Sequence, residues 1–249
     1  PSNLNAATQY GDNIKTFIAY LSTYQMLPYD RISELLKDFI SHKISSGTIY
    51  NMLNSFHTKL EPFENKVKDM LLKSDVIHVD ETGTRVKDKL HWTHTVSTDL
   101  ATYYMIHKKR GAEAIDKMAI LPKYEGIAVH DHWKPYNRYY CLHSFCNAHH
   151  LRELIGIVQN EETRWATDMH TLLTNMNDYI YTLKENNKTS PSKGKIQQFY
   201  QQYDKICRSA LGFYPPPSNS KRKPKQSKGK NLLDRFIAYK NETLRFFTN

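Results

Sequence analysis

The chain has 249 residues, with 35 Lys and Arg against 25 Asp and Glu, a formal charge of +10. At 39% hydrophobic and 12% aromatic it excludes wholesale disorder, because that much apolar area offsets the ordering entropy of one large domain or two modest ones. No run approaches the roughly 18 apolar residues of a membrane span, no signal peptide opens the chain, and three cysteines make no disulfide framework, so a soluble cytoplasmic protein is expected.

Residues 1–74 read as helical. Ile14, Phe17, Ile18 and Leu21 recur at helical spacing, and after Pro28 so do Ile32, Leu35, Leu36, Phe39 and Ile40. A turn bearing Ser and Gly leads to a third stretch through Ile49, Met52, Leu53 and Phe56, with Ser46 as the expected N-cap. The last two helices form a helix-turn-helix candidate, with Thr48, Tyr50, Asn51 and Asn54 on the polar side; an ordinary helical hairpin is the alternative. Pro62 opens a further helix, with Phe63, Val67, Met70 and Leu71 on one face.

From residue 75 the period turns to alternation. Val76–Asp80, Leu90–Ser97 and Thr102–His107 read as an antiparallel meander, the first strand ending at Asp80 and linked to the second by Glu81-Thr-Gly-Thr and a charged Lys87-Asp-Lys turn. A helix over Gly111–Leu121 and short strands at Gly126–His130 and Cys141–Phe145 follow, the late strands parallel to their neighbour through a crossover. Residues 75–159 are thus expected to form a βββαβ…β-α arrangement, an α/β mixed sheet covered by helices. Nine of the 12 histidines lie between His78 and His150. Residues 160–249 read as all-α, with helices through Trp165–Ile180, 194–210 and 232–247 and a basic loop at 218–230.

Asp80 and Asp131 each follow an alternating strand and precede a polar turn. If those strands are neighbours, two carboxylates converge at one sheet edge and make a seat for Mg²⁺ or Mn²⁺; simple turn capping is the alternative. Cys141, His143, Cys146 and His149 admit a zinc reading, although the spacing lacks paired knuckles, and a buried Cys beside a polar helix start is the plainer one. His149 could instead contact a scissile phosphate. Lys221, Arg222, Lys223, Lys225, Lys228 and Lys230 form an acid-free run suited to nucleic acid through counterion release, or else to a solvated linker.

His78-Val-Asp80-Glu-Thr, Val129-His-Asp131-His-Trp-x-x-Tyr136 and His143-x-x-Cys146-Asn-Ala-His149-His-Leu-Arg152-Glu153-Leu together resemble the core of the bacterial DDE transposases of the insertion sequence sixty-six family. Gln9-Tyr-Gly and Tyr24-Gln-Met-Leu-Pro-Tyr-Asp-Arg-Ile-Ser-Glu-Leu-Leu look like that family's helical N-terminal region. The resemblance implies a ribonuclease-H-like fold that cuts and joins DNA at the ends of a mobile element with divalent ions. It makes Asp80 and Asp131 the first two acids of the triad, sets His149 and Arg152 at the phosphate, and makes 160–249 the helical insertion carrying the family's basic stretch. The family's third acid, a glutamate in an Asn-Asn-x-Ala-Glu-Arg-type motif, is not in the chain and is expected beyond Asn249, with Glu153 as a fallback. A fragment lacking that acid is expected to have little strand-transfer activity. The implied partners are element ends and target DNA in a bacterial nucleoid, with a homodimer by analogy. Rival readings are a non-catalytic DNA-binding protein and a ribonuclease-H-like nuclease.

Overall fold

The computed structural model of the protein describes residues 9–161, 163–214 and 226–248. The chain divides into two units that meet in sequence between Asp69 and Met70. In the first, α1 (Asp12–Ala19) runs into a π-helical stretch at Tyr20–Tyr24, followed by α2 (Tyr29–Ile40), α3 (Ser46–Lys59) and the start of α4 (Glu61–Leu72). Ile18, Leu21, Ile32, Leu36, Ile44 and Ile49 make its core.

Two expectations for these helices change. Ser45 rather than Ser46 caps α3, its Oγ accepting the Thr48 N–H at 3.1 Å, so the helix begins at Ser46 itself, one residue earlier than a cap at Ser46 implies. Phe39 and Ile40 continue the apolar period of α2 but are exposed, as are Phe63 and Met70 in α4. Periodicity identified the helices; it did not fix how wide a stripe each buries.

The second unit is built on a five-stranded sheet in the order β3-β2-β1-β4-β5, from β1 (Val76–Val86), β2 (Lys89–Ser97), β3 (Thr102–His107), β4 (Ile127–His130) and β5 (Leu142–Phe145). Strands β1 to β3 are antiparallel, and β1, β4 and β5 are parallel, with α5 (Ala112–Met118) in the crossover. The mixed sheet and its βββαβ…β order are therefore as expected. One boundary is not: β1 does not end at Asp80 but continues to Val86, paired with β2 along its whole second half. The reversal comes at Lys87-Asp88, both at positive φ (48° and 60°), the backbone that suits a two-residue hairpin. Gly83, which read as a turn residue, sits inside the strand opposite Trp92.

Ile77, Val79, Val96 and Ala128 share the buried face of this sheet, whereas Val76, His78 and Asp80 lie on the exposed one. Gly126 leads into β4 at a place with no room for a side chain. A Cβ there would stand 2.7 Å from the Asp75 carbonyl oxygen and 2.4 Å from the Tyr124 hydroxyl.

The remaining helices are α6 (Asn147–Glu161), α7 (Arg164–Glu185), α8 (Lys193–Leu211), α9 (Lys228–Ala238) and α10 (Lys240–Thr248). Leu154, Trp165, Met169, Phe199, Tyr203 and Phe236 are at the heart of their common core. The single last helix expected over 232–247 is two helices, broken at Tyr239 (φ −123°, ψ 41°) without a Pro or Gly to announce it. The break turns α10 back onto β5, where Arg245 Nε donates to the His143 carbonyl at 2.8 Å and Ser144 Oγ to the Glu242 carbonyl at 3.4 Å.

Glu161, the last residue of α6, ties two distant points of the chain together. Its Oε1 accepts the Gly229 N–H at 2.8 Å and its Oε2 the Tyr214 hydroxyl at 3.1 Å, while the Trp165 indole N–H donates to the same Tyr214 oxygen at 3.0 Å. No helix among the described residues is long and apolar enough to cross a membrane.

Candidate active site

Parallel pairing of β1 with β4 ends at His78↔Val129, two residues before Asp80 and Asp131; the same register, if continued, would set those two acids level. Residues at one level of adjacent strands point to the same face, about 4.8 Å apart along the hydrogen-bonding direction. Asp80 lies on the exposed face of the sheet, and Asp131 follows the last residue of β4. Asp80 reaches this position in mid-strand rather than at a strand end: β4 stops pairing while β1 runs on with β2. Each carboxylate engages one oxygen with a nearby backbone N–H, Asp80 Oδ1 with that of Glu81 at 2.9 Å and Asp131 Oδ1 with that of Trp133 at 2.8 Å. The Asp131 contact closes a local turn that aims its side chain.

Glu81 follows Asp80 and therefore points to the opposite face. Its side chain is fully buried. Arg110 holds Oε1 with Nε at 2.8 Å and Nη2 at 2.7 Å, and the Tyr136 hydroxyl donates to Oε2. Burial raises the carboxyl's pKa above its usual range, against the opposing pull of Tyr136 and Arg110. The Arg110 guanidinium carbon itself lies over two indoles, 4.9 Å from the centre of Trp92 and 4.3 Å from that of Trp133. Sequence reading missed this group because its members come from β1, β2, the loop after β3 and the turn after β4.

Histidines flank Asp131 on both sides and are used in pairs. His130 Nε2 lies 2.8 Å from His143 Nδ1. His132 Nε2 lies 2.7 Å from His150 Nε2, and the His150 Nδ1–H donates to Asn147 Oδ1 at 2.8 Å. Asn147 is oriented in turn by donating Nδ2–H to the Thr243 carbonyl at 3.0 Å, so His150 Nε2 is the acceptor and His132 the donor in their shared bond. Burial pushes the His130 imidazole down to about 4 and the His132 imidazole down to about 3, and lowers His150 well below its ordinary value.

His149 lies in the first turn of α6, half-buried, with its Nδ1 buried and without a hydrogen-bond partner among the described residues. Such an atom calls for an explanation, because an imidazole nitrogen removed from water ordinarily has a partner. The zinc reading of Cys141, Cys146 and His149 gains nothing from the geometry. Cys141 is buried with its thiol pKa raised by that burial, and among the described residues no group of three or more His, Cys, Asp or Glu side chains gathers to hold an ion.

Residues 7–249 match the family model described as Transposase IS66 family. The chain belongs to the IS66 transposase family. No curated protein matches this IS66-family chain. Among solved structures it is similar to the cryo-EM structure of a simian T-cell lymphotropic virus intasome in complex with the PP2A regulatory subunit B56 gamma, at 13% identity over 84% of this chain and 78% of that one. With a TM-score of 0.25, that likeness carries no argument about fold or function.

The other residues singled out in this transposase-family chain fall in different places. Arg152 is exposed on α6 and shares a groove with Lys228 at the start of α9, 76 positions away in sequence. Lys230 pairs with Asp234 one turn along the same helix. Lys221, Arg222, Lys223 and Lys225 lie outside the described residues. Glu153, the fallback third acid, is spent elsewhere: both of its oxygens receive the Arg235 guanidinium, joining α6 to α9.

Proposed function

We propose that this chain supplies Asp80 and Asp131, on a ribonuclease-H-like sheet, as two ligands of Mg²⁺ or Mn²⁺ for the phosphodiester chemistry of DNA transposition. The observation that supports this reading is that β1 and β4 are adjacent and parallel, with Asp80 and Asp131 each two residues past their last mutual pair, His78↔Val129. Two such oxygen donors suit these ions, which take one or two carboxylates and keep positions for water and phosphate oxygens. Bound there, the ions would activate a water or 3′-hydroxyl and stabilise the leaving oxygen.

The chain's own residues supply positioning. The Trp133 N–H orients the Asp131 carboxylate, Arg152 offers a planar guanidinium to phosphate oxygens, and His149, in the first turn of α6, is assigned to a phosphate oxygen or a leaving group. Neither Glu81 nor Glu153 serves as a third acid, since each is committed to an arginine. The partner is DNA at the ends of the element, and joining two ends calls for a pair of such chains.

Calorimetric titration with Mn²⁺ tests the acidic pair. Binding is expected in the native chain and is expected to be lost in Asp80→Ala and in Asp131→Ala; wild-type binding in both variants would sink the assignment. Cleavage assays on element ends, branched DNA and RNA–DNA hybrids separate transposition from a general nuclease activity, for which the hybrid or branched substrate would be preferred.

A further inference from the structure

Asp131 lies just past the last residue of β4, whose pairing with β1 ends at His78↔Val129 and with β5 at His130↔Phe145. The sheet ladder therefore fixes Asp80, which is paired with Thr95 of β2, but not Asp131. Something else must set the spacing of the two carboxylates.

Glu81 is placed to do it. Its backbone is continuous with Asp80 inside a paired strand, and its buried carboxylate sends two arms to the turn that follows Asp131. One arm is direct, to the Tyr136 hydroxyl. The other runs through Arg110, held on Oε1 by two N–H groups, to the face of Trp133, whose own N–H grips Asp131. Trp92 closes the stack from β2, so the guanidinium cannot swing away from Glu81 without leaving both indoles. A planar cation suits this: an ammonium could answer the charge but has no flat face to set over the indoles while holding the same oxygen.

An ion pair with one partner buried and the other partly exposed is a poor source of stability, because desolvation of the buried group consumes much of the attraction. Its worth here is geometric. We infer that Glu81 and Arg110 are positioning residues for the Asp80–Asp131 pair, a brace on the opposite face of the sheet that sets the distance between the carboxylates and so selects a small, strictly octahedral cation. This rests on the reading of the two aspartates as metal ligands. Partners behind metal ligands commonly change affinity by about 10- to 100-fold when removed. A loosened pair should lose Mg²⁺, which demands near-ideal octahedral geometry, far more than Ca²⁺, which tolerates irregular sites.

The experiment is displacement of Mn²⁺, followed by electron paramagnetic resonance, with Mg²⁺ and separately with Ca²⁺ in the whole chain. Arg110→Lys and the double variant Glu81→Leu/Arg110→Leu, which leaves no buried charge stranded, are compared with the native protein. Both variants are expected to bind Mg²⁺ about tenfold more weakly while Ca²⁺ changes by less than about threefold. Loss of folded protein would lower both affinities alike, so an unchanged Mg²⁺ to Ca²⁺ ratio in both variants overturns the brace. Absence of Mn²⁺ binding in the native chain, or binding that survives Asp80→Ala, refutes the acidic pair itself and takes the brace with it.

Discussion

His132 and His150 share one hydrogen bond whose tautomers Asn147 sets, and burial together with the nearby Arg235 charge opposes a second proton on either ring. In the unfolded chain both would titrate near 6.5, whereas in the fold His132 is held down to about 3, by burial first and then by Arg235 and His130. Between those values the unfolded state binds a proton that the native state refuses, so stability falls as the pH drops below about 6.5. Each histidine held this way costs roughly 1.4 kcal/mol per pH unit in that window and contributes nothing further above it. Urea denaturation at pH 7.5, 6 and 5 should show a midpoint that moves steadily down; a flat profile would contradict the buried neutral pair. The crowding of nine histidines between His78 and His150 was visible in the sequence, but their use in pairs was not. It depends on residues 13 and 18 positions apart meeting where β4, β5 and α6 converge.

Among the elements, β4 is the one on which the candidate site depends most, and Gly126 is its tightest point. Gly126→Ala would set a methyl group against the Asp75 carbonyl, a backbone atom at the start of β1 that cannot turn aside as a side chain could. We expect a loss of about 1–3 kcal/mol in denaturant melts, together with weaker Mn²⁺ binding, because Asp80 lies in β1 and Asp131 directly follows β4. Unaltered stability would show that the strands can part without cost. The elements were largely legible because alternation and helical periodicity are local. The boundaries that failed were those set by partners: β1 outruns its expected end because β2 stays paired with it, and the last helix breaks at Tyr239 where α10 packs onto β5. Asp80 and Asp131 could be picked out because each closes or follows its own apolar pattern. Glu81 with Arg110 could not, since 29 positions and a change of face separate the cause of that contact from any local signal.

For the molecule as a whole, the charge of +10 is concentrated, with six basic residues in 220–230. The structure refines how to test that run. Ser227 Oγ accepts the Lys230 N–H as the cap of α9, and Gly229 is held by Glu161, so removing everything to residue 230 would damage a helix along with the charges. Deleting 219–225 alone removes Lys221, Arg222, Lys223 and Lys225 and spares both contacts. If those four side chains neutralise phosphates, the slope of log affinity for DNA against log salt should shrink by about 3 to 4. An unchanged slope would assign the run to a solvated connection. The carboxylate of Glu161 has a further consequence. Because it fastens Tyr214 and Gly229 at one point, α8 ends and α9 begins at a fixed separation whatever lies between. The number of residues joining them is therefore free to drift: insertions or deletions there can alter reach and charge over evolutionary time while the helices on either side keep their places.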